Sequence, residues 1–160
     1  MTTVLRITKQ ADYGLILLVR LAAEPGRVHP AADLATAAGL PLPMAGKILK
    51  RLAHEGLLES QRGAGGGYSL ARDPATIDVA AIVTALDGPI ALTDCLAHGP
   101  EECDLAAGCP TQGHWHRISQ AIRQALEGVT LADLCRPAVP PLVRLDAIAV
   151  RTPAREAART

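Results

Sequence analysis

Between Ala31 and Ala71 the chain alternates short periodic segments with stop signals so closely that few folds can hold it. The stretch "AADLATAA" favours a short alanine-rich helix from Ala31 to Ala38, and Gly39 ends it. "PLPMAGKILKRLAHEG" then opens on prolines, which suit a first helical turn, and closes at Gly56. Within it Ala45, Ile48, Leu49 and Leu52 recur at helical spacing, while Lys47, Lys50, Arg51 and His54 recur on the other side. Next, "LLESQ" and "GYSLA" read as extended segments around "RGAGGG", a hairpin with a glycine-rich tip and Arg62 at its base.

Helix, turn, helix, hairpin is the order of a winged helix, and the flanking sequence is consistent with it. "TKQADYGLILLVRLA" predicts a core helix capped by Thr8 and stopped at "EPG". "TIDVAAIVTALDG" predicts another from Thr76, with a Thr or Asp cap. "GHWHRISQAIRQALEG" predicts a longer amphipathic helix with Trp115, Ile118, Ile122 and Leu126 on one face, and "TLADL" a short one opening at Thr130. The expected fold is therefore mainly α with a small β-hairpin wing. Residues 1–90 form the winged helix-turn-helix, 91–112 an irregular cysteine-bearing loop, 113–135 the long and short terminal helices, and 136–160 a disordered tail. The chain has no Phe, one Trp and two Tyr, so its core must be built of Leu, Ala, Val and Ile. A core of small side chains is thin, which favours oligomerisation. Cys135 is expected within that core.

Zero net charge hides a segregation. Residues 1–72 carry nine Lys/Arg against five Asp/Glu, and residues 73–160 carry seven against eleven. A basic row on a helix is ordinarily a solvated face, but here it lies on the second helix of a helix-turn-helix beside a hairpin. Such a helix enters the major groove of double-stranded DNA, and Arg62 can reach the narrow minor groove. Asp87, Asp94, Glu101, Glu102 and Asp104 surround the cysteine loop and would repel nucleic acid there. A nucleotide-binding reading of "GAGGGY" fails because Tyr68 stands where G-x-G-x-x-G needs its last glycine. The run "GLILLV" is too short for a membrane span, and a cytoplasmic protein is expected.

Cys95, Cys103 and Cys109 are separated by seven and five residues. Clustered cysteines in a reducing cytosol bind metal or react more often than they form disulfides. Structural zinc prefers C-x(2–4)-C knuckles, absent here, whereas thiolates in open loops suit an iron–sulfur cluster, which also tolerates a ligand other than cysteine. A catalytic cysteine would find His98, His114 and His116 nearby in sequence but no oxyanion signature, so no enzyme is expected.

The stretches "ITKQADYGL", "LPMAGKILKRLAHEGLLESQRGAGGGYSLAR" and "IVTALDGPIALTDC", the three spaced cysteines, Trp115 and "ALEGVTLADL" together resemble the Rrf-type winged-helix transcription regulators. Among these, which include IscR- and NsrR-type members, they are most similar to the regulators of SUF-system iron–sulfur assembly, over about Leu5 to Leu134. The resemblance implies a homodimeric repressor of cluster-assembly genes responding to cluster supply, oxidation or nitric oxide. Its long helix, Gly113 to Glu127, would pack on its partner, and its two recognition helices would meet half-sites about 34 Å apart on a pseudo-palindromic operator. It also implies a cluster, [2Fe–2S] ahead of [4Fe–4S], on Cys95, Cys103 and Cys109, and DNA contacts by Thr8, Pro43, Lys47, Lys50, Arg51, Arg62, Gly65 and Tyr68. The chain departs from IscR-type members in carrying Gln112 where they place a ligating histidine. Asp12 matches the aspartate that NsrR-type members contribute from the other subunit, with His114 and His116 as local alternatives. Pro43, Gly46 and Lys47 replace polar and acidic residues of the IscR recognition helix, so the operator should differ. The competing reading is a zinc-stabilised winged helix used as a protein–protein module.

Overall fold

The computed structural model describes residues 7–99, 101, 103 and 108–136. Glu102, Asp104 and all of the expected tail beyond Arg136 lie outside the described residues. Helix α1 (Lys9–Ala22) is capped as expected: the Thr8 hydroxyl oxygen accepts from the Ala11 N–H at 3.2 Å. Its inner stripe is Ala11, Gly14, Leu17, Leu18, Leu21 and Ala22. Helix α2 (Ala31–Ala38) ends at Gly39, and α3 (Leu42–His54) turns Ala45, Ile48, Leu49 and Leu52 inward. The wing is an antiparallel pair, β1 (Leu58–Gln61) on β2 (Gly67–Leu70), in the register Leu58 to Leu70 and Gln61 to Gly67. This is the mainly helical, hairpin-winged fold that the sequence predicts.

One pairing has no signal in the sequence. His29 forms an isolated bridge to Tyr68, with an N–H···O bond in each direction at 2.9 Å, adding a third, single-residue rung beside the hairpin. Its carbonyl oxygen would stand 2.2 Å from a Cβ on Gly67, so that position needs glycine for close approach and not for turn geometry.

Of the two caps foreseen for helix α4 (Val79–Asp87), the aspartate is the one used. Residues Pro74–Thr76 form a separate 3₁₀ turn capped by Asp73, and Asp78, whose Oδ1 accepts from the Ala81 N–H at 2.7 Å, begins the true helix. The cysteine loop, expected to be irregular, opens with a short helix α5 (Asp94–Ala97). Helix α6 (Gln112–Glu127) follows, then α7 (Leu131–Leu134), where Thr130 and Asp133 cap each other reciprocally. The fully buried large side chains are all Leu or Ile, from Leu17 to Leu131, which matches the aromatic-poor composition. Cys135 corrects an expectation: it is exposed, because α7 ends before it and places its sulfur at the surface, 4.0 Å from the Val19 carbonyl oxygen.

Candidate nucleic-acid interface and cysteine loop

Burial of Ala45, Ile48, Leu49 and Leu52 against α1, α2 and α4 fixes which way α3 faces. The side left outward carries Leu42, Pro43, Met44, Lys47, Lys50, Arg51 and His54, all exposed, with no acidic residue in the first turn. These cations do not share one environment. The Arg51 Nε–H donates to the Ala85 carbonyl oxygen at 2.9 Å and stands 3.5 Å from a Glu55 carboxylate oxygen, so its guanidinium ties α3 to α4. Among the described residues, Lys47 and Lys50 form no ion pair.

Other residues expected at DNA divide similarly. Arg62 and Gly65 lie exposed at the wing tip, while Tyr68 is half-buried and its backbone pairs with His29. The Thr8 hydroxyl is engaged twice, accepting from Ala11 and donating to an Asp87 carboxylate oxygen at 2.6 Å, so it links the start of α1 to the end of α4. Asp12 follows one turn later, exposed. Neither the Arg51 tether nor the Thr8 bridge was visible in sequence, because each partner lies 34 or more positions away.

All four cysteines are free thiols. Cys95, on α5, is half-buried, with its sulfur 3.3 Å from the Thr93 hydroxyl; Cys103 is half-buried as well. Cys109 precedes α6. The Thr111 hydroxyl, 3.3 Å from its sulfur, and then the Thr111 and Gln112 N–H groups hold its thiol below the ordinary range. Donors of this kind favour the thiolate, the form that binds iron or zinc. Gln112 is half-buried at the first position of α6, and His114 and His116 are exposed in its opening turns. Among the described residues no three or more His, Cys, Asp or Glu side chains are gathered into one constellation. The donor set fits a thiophilic group in chemistry, but among the described residues of one chain it is not assembled around one.

Helix α6 connects this loop to the body. Its one buried residue is Ser119, whose hydroxyl oxygen accepts from the Leu92 N–H at 3.2 Å. It leans on α4 across a cleft of about 560 Å³. The stripe foreseen on it leaves Trp115 and Ile118 exposed, with Ile122 and Leu126 half-buried.

A helix-turn-helix with cations on its second helix, flanked by a hairpin wing, defines a DNA-binding regulator by class. The chain belongs to the Rrf2 family, whose model, described as iron-dependent transcriptional regulator, matches residues 7–137. It is 36% identical over 132 residues to the HTH-type transcriptional regulator IscR of Yersinia enterocolitica, covering 81% of this chain and 79% of that one. Its fold is similar to that of CymR, the global cysteine regulator of B. subtilis (TM-score 0.65, 30% identity, 82% and 96% covered). It is also similar to that of T. potens IscR (TM-score 0.62, 29% identity, 81% and 85% covered). The protein is thus a DNA-binding transcription regulator of the IscR/Rrf2 type and not an enzyme. Among the described residues no helix is long and apolar enough to cross a membrane.

Proposed function

We propose that the chain works as a homodimeric sensor of iron–sulfur status controlling cluster-assembly genes of the SUF type. Cys95, Cys103 and Cys109 hold a cluster, [2Fe–2S] before [4Fe–4S], with Asp12 of the partner subunit as fourth ligand and His114 as the local alternative. When bound, the cluster supplies a centre sensitive to oxidation and nitric oxide; the response in DNA binding belongs to the chain's own contacts.

One observation carries this reading: the cysteines flank the attachment of α6. Cys109 lies just before that helix, and Leu92, three residues before Cys95, bonds its only buried residue, Ser119. From there α6 rests on α4, and α4 offers the Ala85 carbonyl to Arg51 on the recognition helix. The same end of α4 holds Thr8 through Asp87, one turn before Asp12. Ordering of the loop therefore bears on α4 through α6 and through the Thr8 link at its C-terminal end, and so on the tilt of α3. Coupling between such sites is typically about 1–3 kcal/mol, or roughly 5- to 150-fold in DNA affinity.

Anaerobic purification with visible spectroscopy and iron and sulfide assay tests the sensor. Colour with stoichiometric sulfide is expected, and a colourless protein holding zinc would overturn it. Asp12→Ala should perturb the spectrum more than His114→Ala; the reverse order would move the fourth ligand into α6.

A further inference from the structure

Six large apolar side chains stand exposed among the described residues, and two of them, Leu42 (49% exposed) and Met44 (42%), flank Pro43 in the first turn of α3. They are not extensions of the core. The buried face of α3 is carried by Ala45, Ile48, Leu49 and Leu52, which leaves the tip Leu42-Pro43-Met44 as an apolar end on a helix whose outer side is otherwise cationic.

Gly46, one turn further on, is a second and independent sign. Glycine inside a helix costs about 0.5–1 kcal/mol relative to alanine, so an interior glycine usually has a steric reason. Gly14 in α1 has one: a Cβ there would lie 2.2 Å from Leu86 Cδ1. Gly46 has none among the described residues, since a Cβ there meets nothing within 4 Å and its φ lies outside the left-handed region. The fold does not ask for the bare backbone at Gly46, but a surface pressed closely against α3 would.

Recognition helices bring their N-terminal residues to the base edges. In the major groove every base pair presents donors and acceptors, and the one methyl group is that on C5 of thymine. Lys47 and Lys50, on the outward stripe that Leu42 and Met44 flank, complement phosphates or guanine edges and tie the apolar tip to a polyanion. We propose that Leu42 and Met44 determine specificity by packing against thymine methyl groups in each half-site, with Gly46 allowing the groove edge to approach. This rests on α3 entering the major groove, and it adds which base its tip selects.

The test uses full-length protein purified anaerobically and duplexes selected by it from a randomised pool. Selected half-sites should be rich in thymine at the positions facing the tip. Replacing each such thymine by deoxyuridine, which removes only the methyl, should weaken binding about four-fold per methyl, the effect of one buried methyl-sized group. Leu42→Ala/Met44→Ala, at exposed positions and checked by thermal melting, should bind thymine and uracil duplexes nearly alike. Selected half-sites without thymine, equal wild-type affinity for both duplexes, or undiminished methyl sensitivity in the double variant would each overturn the proposal while leaving DNA binding intact. Binding indifferent to Lys47→Ala/Lys50→Ala would instead remove α3 from the groove and end the underlying reading.

Discussion

The winged-helix head and helix α6 are built from the same aromatic-poor alphabet yet stand in opposite conditions. In the head, α1, α3 and α4 share fully buried leucines and isoleucines, and even Gly14 is set by the neighbour that packs on it. Helix α6 has sixteen residues, of which only Ser119 is buried, and its large apolar side chains face outward. A helix with an exposed apolar seam has surface left to cover, so in the proposed homodimer the head is a finished unit and α6 is half of one. The two regions should therefore fail differently.

The largest contrast comes from replacing one leucine or isoleucine in each. Leu49→Ala removes a fully buried side chain at the centre of the head and should cost about 2–5 kcal/mol, read as a fall in the urea midpoint. Ile118→Glu on the α6 seam should leave far-ultraviolet dichroism unchanged while sedimentation shows a monomer. Should Ile118→Glu unfold the chain, or leave the dimer untouched, the division between the two regions would be wrong.

A finer contrast separates residues of the basic row. Lys50→Ala should lower DNA affinity and reduce the salt slope by about 0.9 with no change in melting temperature. Arg51→Ala should also destabilise the head, since it removes the bond to the Ala85 carbonyl, worth about 0.5–1.5 kcal/mol. Equal melting temperatures for the two variants would mean that the Arg51 tether contributes nothing. The two glycines sharpen this further: Gly46→Ala should raise stability by about 0.5–1 kcal/mol and weaken specific DNA binding. Gly14→Ala should lose stability because its Cβ displaces Leu86 in the core.

How much of this was legible follows the same division. Periodicity located α1, α3 and α6, because each carries an apolar stripe legible in its own residues, and the glycine-rich tip marked the two strands around it. The caps at Thr8 and Thr130 and the stop at Gly39 are likewise local. What escaped is contact between distant segments: the His29 bridge to Tyr68, the Arg51 bond to α4, and the link from Thr8 to Asp87. Cys135 was misplaced for that reason, since an apolar neighbourhood in sequence does not say where a short helix ends. At the site, the cysteines and lysines could be named from type and spacing, whereas neither marked Leu42 and Met44 as an exposed apolar tip.

The smallest effect tests whether α7, though it follows α6, belongs to the head. Leu131 is fully buried, its N–H donates to the Ile77 carbonyl at 2.7 Å, and Thr130 and Asp133 close the start of the helix. The Thr130 hydroxyl, then its N–H, and to a lesser degree Arg136 hold the Asp133 carboxyl below its ordinary value. A lowered carboxylate contributes stability that is fully present above its unfolded-state pKa and is lost as pH falls through the lowered one. Asp133→Asn mimics the protonated acid. Its melting temperature should fall slightly below that of the parent near neutral pH, and the two should converge in acid. A gap that stays constant with pH would assign the stabilisation to hydrogen-bond geometry and not to charge.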